Sequence, residues 1–262
     1  MPSDLIAEEP RRVRRGCFEE SVLQRTGLNL EAGAPATGAK LVGAYVVASF
    51  GDGTLSFFHS EEPPITVQAH RGAILCLSSD NGTDNVLTGG DDGRFLRVSP
   101  EGTIDEIASF GSRWVDSVAA GQGWRACSSG NVAYLWGAED MDPISFEHPS
   151  TVGGLAFDAK ATRLAVSHYG GATVWERRKR GWRAKKLIWK GSHGELSFSP
   201  NGKFLVTAMQ ENALHGWRLR DKVDMRMSGY PAKVKSFAWV GDEPYLATSG
   251  ANEAICWPFD GK

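Results

Sequence analysis

The sequence has little of what metal-binding, membrane-spanning or strongly charged chains usually show. Four cysteines stand in 262 residues, too far apart for a CxxC or another metal-binding spacing. The longest nearly apolar run, residues 41–50, is shorter than the roughly 20 residues that a membrane span requires. Lysine and arginine (29) nearly balance aspartate and glutamate (31), so no global field favours nucleic acid or an anionic membrane. We therefore expect a soluble, cytoplasmic chain with free thiols.

Catalytic motifs are missing as well. The sequence has no GxSxG, no HExxH, no phosphate-loop GxxxxGK, and no GxGxxG that leads into a helix. The N-terminal stretch "MPSDLIAEEP" is acidic and lacks the apolar core of a secretory signal. Helical periodicity is nearly absent, and the glycine density argues against long helices. We expect a protein that is not an enzyme and that carries no cofactor.

What the chain does contain is a repeat. The stretch "GGDDGRFLRV", residues 89–98, is one of six similar segments, in which a polar or glycine-bearing turn precedes about five strand-like residues. The segments end at Phe58, Val98, Trp136, Trp175, Trp217 and Trp257. These positions are 40, 38, 39, 42 and 40 residues apart. A period near ~40 predicts a propeller or a solenoid array.

Each repeat has room for four short strands. Blocks such as "GGLAFD" and "ELSFSP" predict a first strand, and "RLAVSH" and "FLVTAM" a second. The glycine-bearing turn and a third strand follow, and spans such as "AKKLIWK" supply a fourth. Four strands per unit of ~40 residues are typical of a propeller blade. The sequence therefore predicts an all-β fold, a β-propeller of four-stranded antiparallel blades.

These residues resemble the WD-repeat family of β-propellers, over about residues 41–260. That family often has a histidine some 27 or 28 residues before the tryptophan, and His70 and His148 match this spacing to Val98 and Trp175. It also favours an aspartate six residues before the tryptophan, matched here by Asp52 and Asp92. No tryptophan is followed by aspartate, so the repeats are degenerate. "HPSTVGGLAF" and "LVTAMQENALHGWRL" resemble segments of bacterial WD-repeat proteins. This resemblance implies no particular activity.

The resemblance implies a structural role for the stretch at residues 89–98. Asp91, Asp92 and Gly93 are expected to form the turn between the second and third strands of a blade. Asp92 is then expected to bond toward His70 and Thr88 and to hold one blade to the next. Turn chemistry alone explains these residue types, so we favour this interpretation over a cation or phosphate site.

The number of blades is left open by the sequence. About six repeats are visible, and the last one stops five residues after Trp257. One interpretation is a six-blade propeller closed by a weak N-terminal strand. The other, which we favour, is a seven-blade propeller cut short, since seven blades need about 280 residues of repeat. We divide the chain into a poorly ordered segment, 1–38, and a propeller, 39–262.

We predict the function from one face of the propeller. This face carries the turns that precede the first strand of each repeat and the turns between its second and third strands. Aromatic and arginine residues on a rigid rim are typical anchors for a protein partner. The expected partner-binding residues are Arg71, Arg113, Trp114, His168, Tyr169, His193, Glu211 and Tyr230. We thus predict a non-catalytic scaffold for a protein partner, itself monomeric unless free sheet edges pair.

Two alternatives remain at this stage. His148, His168, His193 and Glu211 come from neighbouring repeats, and three imidazoles with a carboxylate suit a divalent metal, which would give a metal-handling or enzymatic propeller. The run "ERRKRGWRAKK" places basic residues around one tryptophan at 177–186, a pattern that can bind nucleic acid. A near-neutral chain with a single basic cluster makes the second alternative the weaker one.

Overall fold

The computed structural model describes residues 22–27, 30–60, 62–138, 140–241 and 245–259. Its contacts divide the chain into residues 1–33 and residues 34–262. The described residues of the first unit include a short helix, α1 (Val22–Thr26), in which the Thr26 hydroxyl donates to the carbonyl of Val22. The described residues of the second unit form 21 strands. Residues 1–21 lie outside the described ranges, so the predicted boundary at residue 38 stays a prediction.

Three sheets follow the predicted four-stranded antiparallel pattern. In each, the strands lie side by side in chain order. The first is β1 (Ala36–Val42), β2 (Tyr45–Phe50), β3 (Thr54–Phe58) and β4 (Ile65–Gln68). The second is β5 (Ile74–Ser79), β6 (Val86–Gly90), β7 (Arg94–Val98) and β8 (Ile104–Ser109). The third is β9 (Ser117–Gly121), β10 (Trp124–Ser129), β11 (Val132–Gly137) and β12 (Ile144–Glu147).

Two further sheets depart from that pattern. A six-stranded sheet holds β13 (Val152–Phe157), β14 (Arg163–Arg178), β15 (Gly181–Phe198), β16 (Phe204–Met209), β17 (Ala213–Arg218) and β18 (Asp224–Ser228). A three-stranded sheet holds β19 (Phe237–Val240), β20 (Tyr245–Thr248) and β21 (Ile255–Pro258). The described residues therefore form five sheets, all with antiparallel pairing between neighbouring strands.

The predicted blade count is wrong, both as about six blades and as a seven-blade propeller cut short. Five sheets arise from six sequence repeats because the fourth and fifth repeats share one sheet. β15 pairs with β14 between residues 181 and 192 and with β16 between residues 193 and 198, so one strand serves both repeats. β1 forms within a stretch rich in Gly and Ala, where its pairing with β2 holds it in the sheet.

The inner strands surround a central cavity of about 820 Å³. Residues from β1, β5, β9, β13, the second half of β15, and β19 line it, together with the ends of the adjoining turns. The cavity wall contains small side chains and two carboxylates, Asp116 and Glu195. This arrangement of strands around an axis is the propeller architecture that the repeat predicted.

Apolar side chains fill the spaces between neighbouring sheets. Leu55 of β3, Ile74 of β5 and Leu96 of β7 belong to one buried cluster that joins the first two sheets. Trp217 of β17 lies in another cluster with Leu187 of β15. Each such side chain is almost fully buried and contributes about 1.5–3 kcal/mol by its removal from water. The large residue at the end of the third strand therefore has a packing role.

One buried carboxylate also joins the second and third sheets. Asp80 follows β5, and its side chain is only 6% exposed. Its oxygens accept from Nε of Arg97 on β7 at 2.7 Å, and from Nε and Nη2 of Arg125 on β10 at 2.9 and 3.0 Å. Both arginines are about a quarter exposed. Arg97 has a second, exposed partner in Asp105 at 3.3 Å.

Within the described ranges, no helix combines the length and apolar character needed to cross a bilayer. Cys76, Cys127 and Cys256 are free thiols, while Cys17 lies outside the described residues.

Candidate functional site

The turn between β6 and β7 is fixed by a chain of side-chain hydrogen bonds. Nδ1 of His70 lies 2.8 Å from Oδ1 of Asp92, and Nε2 lies 2.9 Å from the Thr88 hydroxyl. A carboxylate only accepts, so Nδ1 donates, and in the neutral ring Nε2 accepts from Thr88. The amide of Arg71 donates to the other oxygen of Asp92 at 3.0 Å. The three residues that the resemblance joined thus form one connected group.

The pKa values of this pair fit a neutral histidine beside an ionised carboxylate. Burial lowers the pKa of His70 below its ordinary value, and this outweighs the opposing effect of Asp92. Burial also opposes ionisation of Asp92, but hydrogen bonds from His70 and from the amide of Arg71 hold its pKa below the usual range. The group therefore has satisfied partners at neutral pH, which a rigid buried network requires.

The stretch at 89–98 leaves no room for a ligand at its glycines. Gly93 has φ of +76°, and an added Cβ would lie 2.0 Å from the carbonyl oxygen of Gly111. The amide of Gly93 donates to Gly90 O at 3.2 Å, which closes the turn. Its carbonyl accepts from the amide of Phe110 at 2.8 Å, which ties this turn to the segment before β9. The turn interpretation thus has a geometric basis in close backbone packing.

Comparable contacts recur in later repeats. His148 lies between β12 and β13 and accepts from Nε1 of Trp175 at 3.2 Å. The hydroxyl of Tyr230, between β18 and β19, lies 2.8 Å from that of Thr248 and accepts from Nε1 of Trp257 at 2.6 Å. Tyr230 stands 27 residues before Trp257, as His148 stands 27 before Trp175. The spacing of 27 residues before the tryptophan is the signal in the sequence that identifies Tyr230 as a packing residue.

Three predicted partner-binding side chains are therefore not on the surface. Tyr230 is 5% exposed, His193 1% and His168 7%. Nδ1 of His193 lies 2.7 Å from the Thr207 hydroxyl, and Nε2 of His168 lies 3.0 Å from that of Thr173. These rings turn inward because strand hydroxyls and carbonyls satisfy their nitrogens. Their placement at the binding rim is corrected accordingly.

The other predicted residues are exposed on what we call the upper face. This face comprises the turns that precede the first strand of each repeat and those between its second and third strands. Trp114 is 61% exposed and Tyr169 is 65% exposed. Three further predicted residues, Arg71, Arg113 and Glu211, are exposed on the same turns. Two large aromatic side chains thus lie in solvent, where internal packing does not explain them.

Hydrogen bonds donated by backbone amides hold the segments of the upper face in place. The amide of Val115 donates to Gly90 O at 3.0 Å, which fixes the segment that carries Trp114. The amide of Tyr169 donates to the Ser150 hydroxyl at 2.9 Å, and the amide of Gln210 donates to Ser192 O at 3.0 Å. The first bond joins the second repeat to the third, and the other two bonds each join segments within one repeat. The face therefore presents its side chains from a stiff scaffold.

The histidines proposed as metal ligands do not form a metal site. In the part of the chain that the structure describes, no group of three His, Cys, Asp or Glu side chains is placed to hold a metal ion. The rings of His148 and His168 lie near each other, with centroids 5.6 Å apart, but each ring has its own protein contacts. Glu211 is exposed on the turn between β16 and β17. The metal-handling alternative is not supported.

The basic run at 177–186 forms the hairpin between β14 and β15. Its tryptophan, Trp182, is partly buried and packs edge-on against Trp124, with ring centroids 5.5 Å apart. The guanidinium of Arg177 lies 5.8 Å from the ring centre of Trp124, and Arg178 pairs with Glu176. The aromatic ring that would stack on a nucleic acid base thus serves internal packing. The nucleic-acid alternative is not supported either.

Comparisons with known proteins agree with this fold. A family model described as "WD domain, G-beta repeat" matches residues 61–95, which include the His70–Asp92 network. A solved structure described as "Crystal Structure of Mitotic Checkpoint Complex" contains a similar chain, with a TM-score of 0.72 and 17% identity. The match covers 87% of this chain and 76% of the other. No curated protein sequence matches this one. The predicted resemblance to WD repeats is confirmed, and at this identity the structural likeness shows the fold alone.

Proposed function

We propose that this protein is a non-catalytic scaffold that binds a protein partner on its upper face, with Trp114 and Tyr169 as the anchors. The observation that carries the proposal is the exposure of these two rings, 61% and 65%, on segments held by hydrogen bonds of their backbone amides. Exposed tryptophan and tyrosine rings on a rigid surface supply most of the binding energy in many interfaces.

Charged side chains around the rings fit the rim of such an interface. Arg71 and Arg113 are exposed on neighbouring turns, and the guanidinium of Arg113 lies 5.9 Å from the ring centre of Phe110. Glu211 is exposed on the turn between β16 and β17. Charges of both signs at a rim govern association rate and orientation more than affinity. The same fold serves as a platform for many functions, so the site and not the fold carries the proposal.

The cytoplasmic location and the monomeric state stay proposals of the same kind. The match to a chain from a multi-protein complex supports a partner-binding role without identifying the partner. The low cysteine count and the free thiols support a reducing compartment.

The double substitution Trp114→Ala and Tyr169→Ala tests the proposal. Truncating two anchors of an interface costs about 2 kcal/mol or more each, so we expect capture of the partner from native extract to fall by at least about 100-fold. Both side chains lie mostly in solvent, so we expect the melting temperature to stay within about 2 °C of the parent. Quantitative affinity capture with mass spectrometry, followed by titration of the captured protein, measures the effect.

The matched control is Met141→Ala. This side chain is 91% exposed in the segment between β11 and β12, which is not part of the upper face. It should retain full capture. Equal capture by the parent and the double variant would show that the partner binds elsewhere on the propeller.

A further inference from the structure

A second cavity lies away from the upper face, between the fourth and fifth repeats. Its volume is about 550 Å³, within the range of small-molecule sites. The lining comes from β14, β15, the turn before β16 and the segment after β17. Three side chains, Val174, Phe204 and Leu219, form an apolar floor. A concave apolar floor with few polar groups is the usual form of a ligand pocket.

Cations dominate the polar part of this lining. Five basic side chains reach the cavity, and Glu176 is the one carboxylate among the lining residues. The basic residues are Arg163, Lys185, Lys203, Arg218 and Arg220. Such an excess of positive charge over an apolar floor is complementary to an anion with an apolar body.

Three of these cations are paired with carboxylates beside the cavity, and one of them is Arg220, whose Nε lies 3.3 Å from Oδ2 of Asp221. Nε of Arg163 donates to Oδ2 of Asp158 at 2.9 Å. Nη2 of Arg218 lies 3.0 Å from Oδ2 of Asp221, and hydrogen bonds from Arg218 lower the pKa of Asp221 to about 2. These pairs hold the wall of the cavity and leave the lysines as its unpaired charges.

Lys185 is the cation best placed to meet a ligand. Its side chain is half-buried on β15, and Nζ donates to the backbone carbonyl of Leu219. Among the residues that the structure describes, no carboxylate pairs with it or with Lys203, and Glu176 pairs with Arg178. An ammonium group has three donors, so Lys185 has two left for a ligand. A partly buried cation without a counter-charge gains most from an anion.

We infer that this cavity binds a small organic anion, with its apolar body on Val174, Phe204 and Leu219 and its charged group on Lys185 and Lys203. The arrangement resembles other small-molecule sites in having one apolar surface and a few fixed polar groups that orient the ligand. The inference does not depend on the partner proposed for the upper face, since no residue is shared between the two sites.

The fluorescent probe 8-anilinonaphthalene-1-sulfonate tests the inference, because it joins an aromatic body to one anionic group. Its uncharged counterpart, N-phenyl-1-naphthylamine, serves as the ligand control. We expect the folded protein to bind the anion at least about tenfold more tightly than the neutral compound, the size of one charge-assisted hydrogen bond. Titration at low and moderate salt, with fluorescence as the readout, measures both.

Substitutions with opposite expected effects locate the bound probe. Lys185→Gln should weaken binding of the anion about tenfold and leave the neutral compound unchanged. Glu176→Gln should strengthen binding of the anion, because it removes the carboxylate of the lining. Lys233→Gln, on the upper face, removes the same charge elsewhere and should change neither. Melting temperatures of all three variants check that each remains folded.

Equal affinity for the charged and neutral probes would overturn the inference. So would anion binding that is unchanged in Lys185→Gln, or lowered equally by Lys185→Gln and Lys233→Gln. The last result would show a general effect of net charge in place of a defined pocket.

Discussion

Asp80→Ala should lower the free energy of unfolding by about 2–4 kcal/mol, because it leaves two arginines without their shared buried carboxylate. The carboxylate links Arg97 of the second sheet to Arg125 of the third, so its loss weakens a contact between sheets. The arginines are about a quarter exposed and can reach water, which keeps the loss below that of a fully buried pair. At this chain length, the melting temperature should fall by about 5–12 °C.

The matched control for this prediction is Asp105→Ala. That carboxylate binds the same Arg97, at 3.3 Å, but its side chain is 56% exposed. Exposed ion pairs contribute about 0–1 kcal/mol, so this variant should remain close to the parent. Urea unfolding of the parent and both variants measures the difference. If Asp80→Ala proves as mild as Asp105→Ala, burial of the carboxylate does not stabilise the junction.

Acid should destabilise the protein between about pH 6.5 and pH 4 through two buried histidines. Burial lowers the pKa of His148 and of His215 to about 4. Asp224, whose carboxylate lies 3.7 Å from Nε2 of His215, opposes the lowering at that ring, while His168 and His193 add smaller lowering effects at His148 and His215 respectively. Nδ1 of His148 and both ring nitrogens of His215 lack hydrogen-bond partners within the described structure. Protonation of these rings would place a poorly solvated charge between aromatic side chains.

The direction of this pH effect follows from the pKa values of the histidines in the unfolded and the folded chain. The unfolded chain takes up these protons near pH 6.5, while the folded chain takes them up only near pH 4. Between those values the unfolded state binds more protons, so the free energy of unfolding falls as the pH drops. The expected loss is about 3 kcal/mol for each histidine, complete near pH 4. Asp116 and Glu195, whose pKa values burial raises, act in the opposite direction and reduce the net slope.

His215→Phe separates the histidine contribution from general acid effects. The His215 ring is stacked on Trp189, with centroids 4.1 Å apart, and a phenyl ring retains that contact without a titratable group. Urea unfolding at pH 7 and pH 4.5 should show a smaller difference in this variant than in the parent. His59→Gln, at an exposed position, is the control. An unchanged difference in His215→Phe would exclude His215 as a source of the acid sensitivity.

The repeat and the turn at residues 89–98 could be predicted from the sequence because both depend on a local pattern of residues. Large apolar residues recur at the end of each third strand, and four-stranded antiparallel sheets follow from them. The turn at Asp92 and Gly93 follows from residue types that suit tight turns. The all-β class and the blade pattern were therefore predictable without knowledge of long-range contacts.

The number of sheets and the burial of the turn histidines were not predictable in this way. Nothing in the sequence around Ile188 marks β15 as one strand shared by two repeats, since the pattern there suits two separate strands equally well. Likewise, a turn histidine such as His193 can point out or inward, and its hydrogen bond to Thr207 depends on the neighbouring strand.

The basic cavity was missed for a related reason. Its lysines, Lys185 and Lys203, come from different repeats and meet only in the folded chain. The sequence showed the basic run but not which of its residues lines a pocket. Residues that come together only when two repeats pack form no contiguous pattern in the sequence.

The shared strand β15 has a consequence for local unfolding of the propeller. Separate blades exchange their amide hydrogens as separate units when only side chains join them. Here one continuous strand carries two ladders, because the first part of β15 pairs with β14 and its last part pairs with β16, so the fourth and fifth repeats are joined through the backbone of that strand. The two repeats should therefore lose protection together in native-state hydrogen exchange, as a single cooperative unit roughly twice the size of its neighbours.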